Sequence, residues 1–410
     1  MKGLFFLGLT AGSFAFAQTT DSVKIREIEA VNFTRRLPVA KEIINVQKDL
    51  DSRNLGQDLP ILLKNQTSVI STSDAGNGVG YTGFRIRGVA GRGINVMLNG
   101  VPFNDSESQG TFFVNVPDLT SSASQIVIQR GVGTSNNGVS AFGASINVIS
   151  KEPENKFYFK TDDSYGSFNT YKYSAEVGSG KFWKNRLSVM GRYSQIHSDG
   201  YIDRAFSDLN SYNFTALYVE GKTKIRLMAF GGKEKTYQAW NGIDRKTWET
   251  NPRFNISGAI YDNAGNISGY YDNETDNYRQ NHYQLLWEQG LNENWNLETT
   301  FHYTKGKGYY ENYRQDNRLS RYNLPNIQQG ATLIQRSDFI RKKWLDNDFY
   351  GIVSTLYGKF ENLDINFGAV ANQYKGDHFG NVTGVFLPQI QEFHYYRNHS
   401  VKNELAGFAK

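Results

Sequence analysis

Residues 377–399 gather the densest set of metal-ligating side chains in the sequence: Asp377, His378, His394, Tyr395, Tyr396 and His399. Imidazole, phenolate and carboxylate all ligate iron. A metal or metal-chelate contact through His378, His394 and His399 is one chemistry open to this stretch; a solvated loop is the other, and no metal site is assigned here. A second chemical pattern, Gly78-Val79-Gly80-Tyr81-Thr82-Gly83, fits G-x-G-x-x-G. It follows a polar stretch and leads into a β-type run rather than a helix, so the context that phosphate binding requires is missing and it is a turn. The sequence offers no P-loop and no Ser/His/Asp constellation. It has no cysteine, hence no disulfide frame, thiolate site or Cys nucleophile. Nothing here supports an enzyme, and no cofactor is expected.

The elements that must position these residues are mainly β. The 410 residues include 25 Tyr, 27 Phe and 40 Gly but only 8 Pro, a composition that suits many strands joined by tight turns. With 45 basic against 40 acidic residues the net charge is +5, and no Lys/Arg run suggests a nucleic-acid partner. Residues 1–17 have the form of a signal peptide: Lys2, an apolar stretch, then Ala15-Phe16-Ala17 before Gln18. Residues 18–45 are a polar arm and 46–150 a compact α+β domain, in which Leu50, Leu55, Leu59, Ile61, Leu62 and Leu63 suggest a short helix broken at Pro60. From residue 156 the period becomes two, over about ten segments. A soluble sandwich alternates too, but the connections differ. They are tight near 180–185, 221–223, 290–294 and 358–361, and long near 237–278, 305–346 and 375–401. Tight turns at one rim and long loops at the other describe an antiparallel β-barrel of the outer-membrane type.

The domain before the barrel carries the specific motifs. Gly83-Phe84-Arg85-Ile86-Arg87-Gly88 is followed by Leu98-Asn99-Gly100-Val101-Pro102, by Pro117-Asp118-Leu119, by Ile126-Val127-Ile128-Gln129-Arg130-Gly131, and by a small-residue loop ending in Gly143-Ala144-Ser145-Ile146-Asn147. In order and spacing these resemble the plug domain of TonB-dependent outer-membrane receptors, ferric-siderophore receptors in particular. Asn99 stands where that pattern has Asp, Gln129 precedes Arg130, and Ala144-Ser145 replaces a Gly pair. The small residues Gly131, Gly133, Gly138, Ala141, Gly143, Ala144 and Ser145 are expected to let the plug lie close to the barrel wall. Arg85, Arg87 and Arg130 are expected to pair with acidic residues.

The resemblance implies further expectations. Residues 155–410 would be the N-terminal portion of a barrel that closes with 22 strands, about ten of them present here. The protein would reside in the bacterial outer membrane, exported by its signal peptide. It would import a scarce nutrient, most often a ferric siderophore or other iron complex. Cobalamin, another metal complex or an oligosaccharide is the alternative cargo, and a structural or adhesive barrel the alternative class. Its partners would be TonB with the inner-membrane energy-transducing complex, the extracellular chelate and outer-membrane lipid, with no nucleic acid. Ile25, Glu27, Ile28, Glu29, Ala30 and Val31 would act as the TonB box, added as a strand to TonB. Cargo would touch the plug's apices at Asn77, Tyr81, Arg92, Phe103, Asn104, Gln109 and Phe112.

Overall fold

The computed structural model describes residues 41–131, 142–387 and 392–410. The leader, the TonB-box-like residues 25 and 27–31, Gly133, Gly138 and Ala141 lie outside them. The N-terminal domain runs through β1 (Lys41–Asn45), β2 (Val69–Ser73), β3 (Thr82–Ile86), β4 (Val89–Ala90), β5 (Ile94–Leu98), β6 (Val101–Pro102), β7 (Ala123–Arg130) and β8 (Ala144–Ser150). One sheet has the order β1-β7-β8-β5-β6, with β5 and β8 parallel; β2, β3 and β4 form a second. Ile86, Ile94, Val96, Ile126, Ile128 and Ile146 are fully buried between these elements, the β-branched residues that favour a packed, pleated surface. The helix Leu59–Leu62 has Pro60 in its first turn. The proline therefore starts the helix instead of breaking it, because a first-turn N–H has no intrahelical partner to lose.

Asn99 and Gly100 both have positive φ, 54° and 80°, the conformation of a two-residue hairpin turn between β5 and β6. Asn serves there as well as Asp would. Its Oδ1 accepts from the Ser150 amide at 3.0 Å, and the Gly100 amide donates to Asn147 Oδ1 at 3.0 Å. The small residues around Gly143 have a different reason from the one expected. A Cβ on Gly143 would lie 2.5 Å from Val89 Cγ1 and 3.0 Å from Gly93 O. The close approach is thus within the domain, where Gly131 N–H donates to Gly143 O and Gly143 N–H to Gly93 O, rather than against the wall.

The rest of the described chain is a wall. It comprises β9 (Phe157–Gly166), β10 (Thr170–Phe182), β11 (Leu187–Ser198), β12 (Ser207–Glu220), β13 (Thr223–Tyr237), β14 (Ala259–Tyr261), β15 (Ile267–Tyr270), β16 (Thr275–Gly290), β17 (Trp295–Arg318), β18 (Ile327–Gln329), β19 (Thr332–Ile334), β20 (Arg336–Lys359), β21 (Asp364–Val385) and β22 (Phe393–Ala409). Ten of these form one antiparallel sheet, each beside its neighbour in sequence, from β9 at one edge to β22 at the other; β14–β15 and β18–β19 are separate hairpins in the long connections. The sheet is open. Its alternation is inverted relative to a water-soluble sheet. Tyr173, Tyr193, Leu227, Tyr283, Leu285 and Phe301 stand exposed, while Lys172, Arg192, Ser194, His282, Gln284 and His302 are buried on the other face, towards the N-terminal domain. Apolar residues outward and polar residues inward is the pattern of a lipid-embedded barrel.

Two expected loops are strand over much of their length. β17 and β20 each run 24 residues, and their pairing continues to Arg318↔Arg336. β21 and β22 stay paired up to Val382↔Phe393. Backbone pairing needs no alternation of side chains. Beyond the apolar band both faces are polar, so the period-two signal stops while the ladder continues.

Candidate functional site

A cavity of about 420 Å³ opens between the N-terminal domain and the inner face of the wall. The domain supplies Tyr81, Phe103, Asn104, Asp105 and Phe112, among others; the wall supplies Tyr278, His282, Tyr310, Lys343, Asn347, Phe349, Tyr374 and His378. Period two brings Asp276, Tyr278, Gln280 and His282 of β16 to this space. Tyr81 is placed by the turn at Gly78 and Gly80, both at positive φ. Its hydroxyl donates to Asp276 and lies 3.3 Å from Glu234 Oε1; burial, then these two carboxylates, pushes the phenol well above its ordinary pKa. Across the cavity Tyr278 Oη donates to Asn347 Oδ1 at 2.7 Å. Ten of the 24 lining residues are Phe, Tyr or Trp, and Asp105, Asp276 and Lys343 are its charged groups apart from histidine. Such a surface binds flat, amphipathic molecules by stacking and a few directed hydrogen bonds.

Of the seven expected apical contacts, Tyr81, Phe103, Asn104 and Phe112 line the cavity. Three have other work. Asn77 Nδ2 fastens the domain to the wall by donating to Ser198 Oγ at 2.6 Å and Thr170 Oγ1 at 3.3 Å. Gln109 closes its own loop through Ser106 O at 2.9 Å, and Arg92 is exposed on the turn Gly91–Gly93. Asn104 also braces the loop, holding Ile94 O, Gln109 O and the Val96 amide. Part of the wall half of the cavity escaped sequence reasoning because Tyr278, Tyr310 and Lys343 fell in segments taken as loops.

The three histidines do not converge on a metal. His378 faces inward, its Nε2 2.7 Å from Glu107 Oε2 in the apical loop. His399 pairs in register with Asp377, one residue away from His378 and so on the opposite face. The wall lies between them. His394 stands opposite Asn381, beside the Phe379 ring. The motif arginines also divide. Arg130 pairs with Glu42 and donates to Thr67 O at 2.9 Å. Arg85 and Arg87 are exposed and have no ion pair among the described residues; with charge in water they need none. Gly88, at φ 80°, completes the turn after Arg87.

On the side of β10 and β11 the domain is fixed to the wall by a buried charge cluster. Asp118, at φ 53°, accepts from Arg192 at 2.6 Å and lies 3.3 Å from Lys172, which also reaches Asp162 at 2.7 Å. Ser194 Oγ and Asn54 Nδ2 donate to the same carboxylate. Burial pushes the Asp118 pKa up, but Arg192, Lys172 and the hydroxyl donors outweigh it and hold the carboxyl below its usual range.

A family model, the TonB-dependent receptor plug domain, matches residues 34–145. The N-terminal domain thus belongs with the plug domains of TonB-dependent receptors, by a match over 112 of the 410 residues. The N-terminal domain is accordingly the plug, and the sheet the barrel wall. The fold of the chain is similar to that of the ferric citrate transporter FecA in its unliganded form (TM-score 0.64, 12% identity over 90% of this chain and 53% of that one). It is also similar to that of the copper transporter OprC (0.65, 11%, 90% and 52%), and of the E. coli K12 ferric-catecholate import receptor Fiu in its closed form (0.58, 16%, 91% and 54%). The chain spans about half the length of these solved structures. No curated protein matches it.

Proposed function

We propose that this receptor resides in the bacterial outer membrane and imports a ferric siderophore or other iron complex, driven by TonB. The observation that carries the proposal is the aromatic cavity between plug apex and wall, with inverted alternation around it. A ligand held there rests on the plug, so a change in the plug is felt at the cargo. In this reading a pull on the N-terminal arm would act on the plug, which Asp118 fastens to the wall. The neighbours named for ferric citrate, copper and ferric catecholate support a metal-complex cargo. Cells carrying the full-length gene should accumulate a radiolabelled ferric chelate, and iron starvation should increase the uptake. Phe112→Ala removes an exposed ring that lines the cavity and should weaken chelate binding roughly tenfold, the value of one aromatic contact. Uptake equal to that of a deletion strain across ferric hydroxamates, catecholates and carboxylates would defeat the iron reading. Uptake of cobalamin by the same cells would favour that cargo instead.

A further inference from the structure

We propose that the aromatic rings around Asp276 form a box for an organic ammonium group, and that the cargo is an iron chelate carrying a positive charge outside its metal centre. This rests on the import reading and narrows its cargo. The box is built from Asp276 of β16, whose carboxylate accepts from the Tyr81 hydroxyl of the plug. Asp276 pairs in register with Tyr310 of β17, and residues directly opposite on antiparallel strands share a face. Trp240, in the connection after β13, touches both tyrosine rings. Its centroid lies 5.6 Å from that of Tyr81, at 75°, and 5.9 Å from that of Tyr310, at 82°. Phe112 of the plug stands 6.3 Å from Tyr81, at 79°. Adjoining rings are thus close to perpendicular, as the walls of a box are, with a carboxylate among them.

The chemistry of such a box is selective. An aromatic face carries negative charge, so it attracts a cation, and the attraction grows when the cation leaves water. The carboxylate acts in the same sense. An ammonium group is favoured by both features, and an anionic group is repelled by both. The walls are open to a ligand: Trp240 is 41% and Phe112 39% exposed.

The charges around the cavity agree. Asp276 has no basic side chain within ion-pair distance among the described residues. Lys343 pairs in register with Tyr310, and its Nζ lies 5.8 Å from that ring's centroid, at the long end of a cation–π contact. One ring of the box therefore already faces an ammonium of the protein. Lys343 is the basic group of the lining apart from histidine, against Asp105 and Asp276, and Glu107 adds a further carboxylate beside His378. A polyanionic ferric carboxylate or catecholate complex would meet like charge here, and a complex with an ammonium tail would meet complementary charge.

The test titrates full-length receptor in a neutral detergent with three forms of one iron complex. Ferrioxamine B is a trishydroxamate complex with a neutral iron centre and a free ammonium tail. N-acetylation removes the tail's charge and N-succinylation reverses it. The ammonium form should bind about tenfold more tightly than the acetylated form, and the succinylated form most weakly. Trp240→Leu should reduce the ammonium-over-acetyl preference to within about twofold, and Trp240→Phe should keep most of it. Asp276→Asn should also reduce the preference, whereas Lys343→Gln should raise it by removing the competing ammonium. The iron-free amine should bind far more weakly than its complex, because the chelate occupies the rest of the cavity. Equal binding of the ammonium and acetylated forms, or tighter binding of the succinylated form, would overturn the proposal. So would a preference untouched by both Trp240→Leu and Asp276→Asn, or iron-free amine bound as tightly as the complex. In each of these cases, uptake of an uncharged or anionic metal chelate by cells carrying the full-length gene would leave the import reading standing. Cells that accumulate no metal chelate of any class would overturn both.

Discussion

Removing the Asp118 carboxylate would leave Arg192 and Lys172 buried, with Asp162 the one remaining carboxylate among the described residues within ion-pair distance of Lys172. Breaking one side of such a cluster costs about 3–5 kcal/mol. Asp118→Asn should therefore lower the melting temperature of the detergent-solubilised receptor strongly. Lys160→Met, which breaks the exposed pair with Glu154, should cost under about 1 kcal/mol. If the two variants melt alike, the cluster does not hold the plug. Asp58 behaves oppositely. It is buried, with Thr82 donating to it at 2.9 Å and no cation in ion-pair contact among the described residues. Burial raises its pKa from 3.8 to about 7. A raised carboxyl favours the fold while protonated, so its stabilisation is present at low pH and is lost as pH rises through about 7. Three pKa steps correspond to about 4 kcal/mol. Asp58→Asn should thus melt higher than the parent at pH 8, with the gap closing towards pH 5. A gap that is constant with pH would mean Asp58 titrates as an ordinary carboxylate.

Glycine acts in two ways in the plug's turns, and substitution separates them. At Gly100 a Cβ meets nothing within 4 Å, but φ is 80°. Gly100→Ala should cost about 1–2 kcal/mol through the backbone alone, and Gly100→Asn less, because Asn tolerates that conformation. Gly143 is not in the positive-φ region but is crowded by Val89 and by the Gly93 carbonyl. Gly143→Val should cost about 1–3 kcal/mol through overpacking, and Asn should give no relief. Melting temperatures of the four variants check this, and an Asn rescue at Gly143 would contradict the packing argument. The same elements show what was legible beforehand. The Asn99-Gly100 turn, the plug strands and the lipid-facing stripe through Tyr283 and Leu285 follow from local chemistry and period two. The outer halves of β17 and β20 do not, because Lys305 to Arg318 lie beyond the apolar band, where side-chain alternation ceases. Tyr310 and Lys343 of the cavity wall were hidden with them. Nor does a sequence motif reveal that Gly143 answers to Val89 rather than to the wall, since that contact depends on tertiary packing.

At the scale of the whole molecule, the proposed import would require that energy entering through the arm reach a cavity formed by other parts of the chain. No lining residue of the cavity precedes Tyr81, so the arm and the cargo site can be altered separately. Docking to TonB by strand addition depends on backbone N–H donors in an extended segment. Ile28→Pro removes one donor and fixes φ near −65°, whereas Ile28→Ala keeps the backbone intact. Cells expressing the full-length parent, the Ile28→Ala variant or the Ile28→Pro variant should bind labelled chelate equally well in the cold. On warming, the Ile28→Ala cells should import it at close to the parental rate, and the Ile28→Pro cells at least tenfold more slowly. Loss of cold binding in the Pro variant would mean that the arm shapes the cargo site. Normal warm uptake would mean that residues 25–31 are only a connection between leader and plug, and that coupling enters elsewhere.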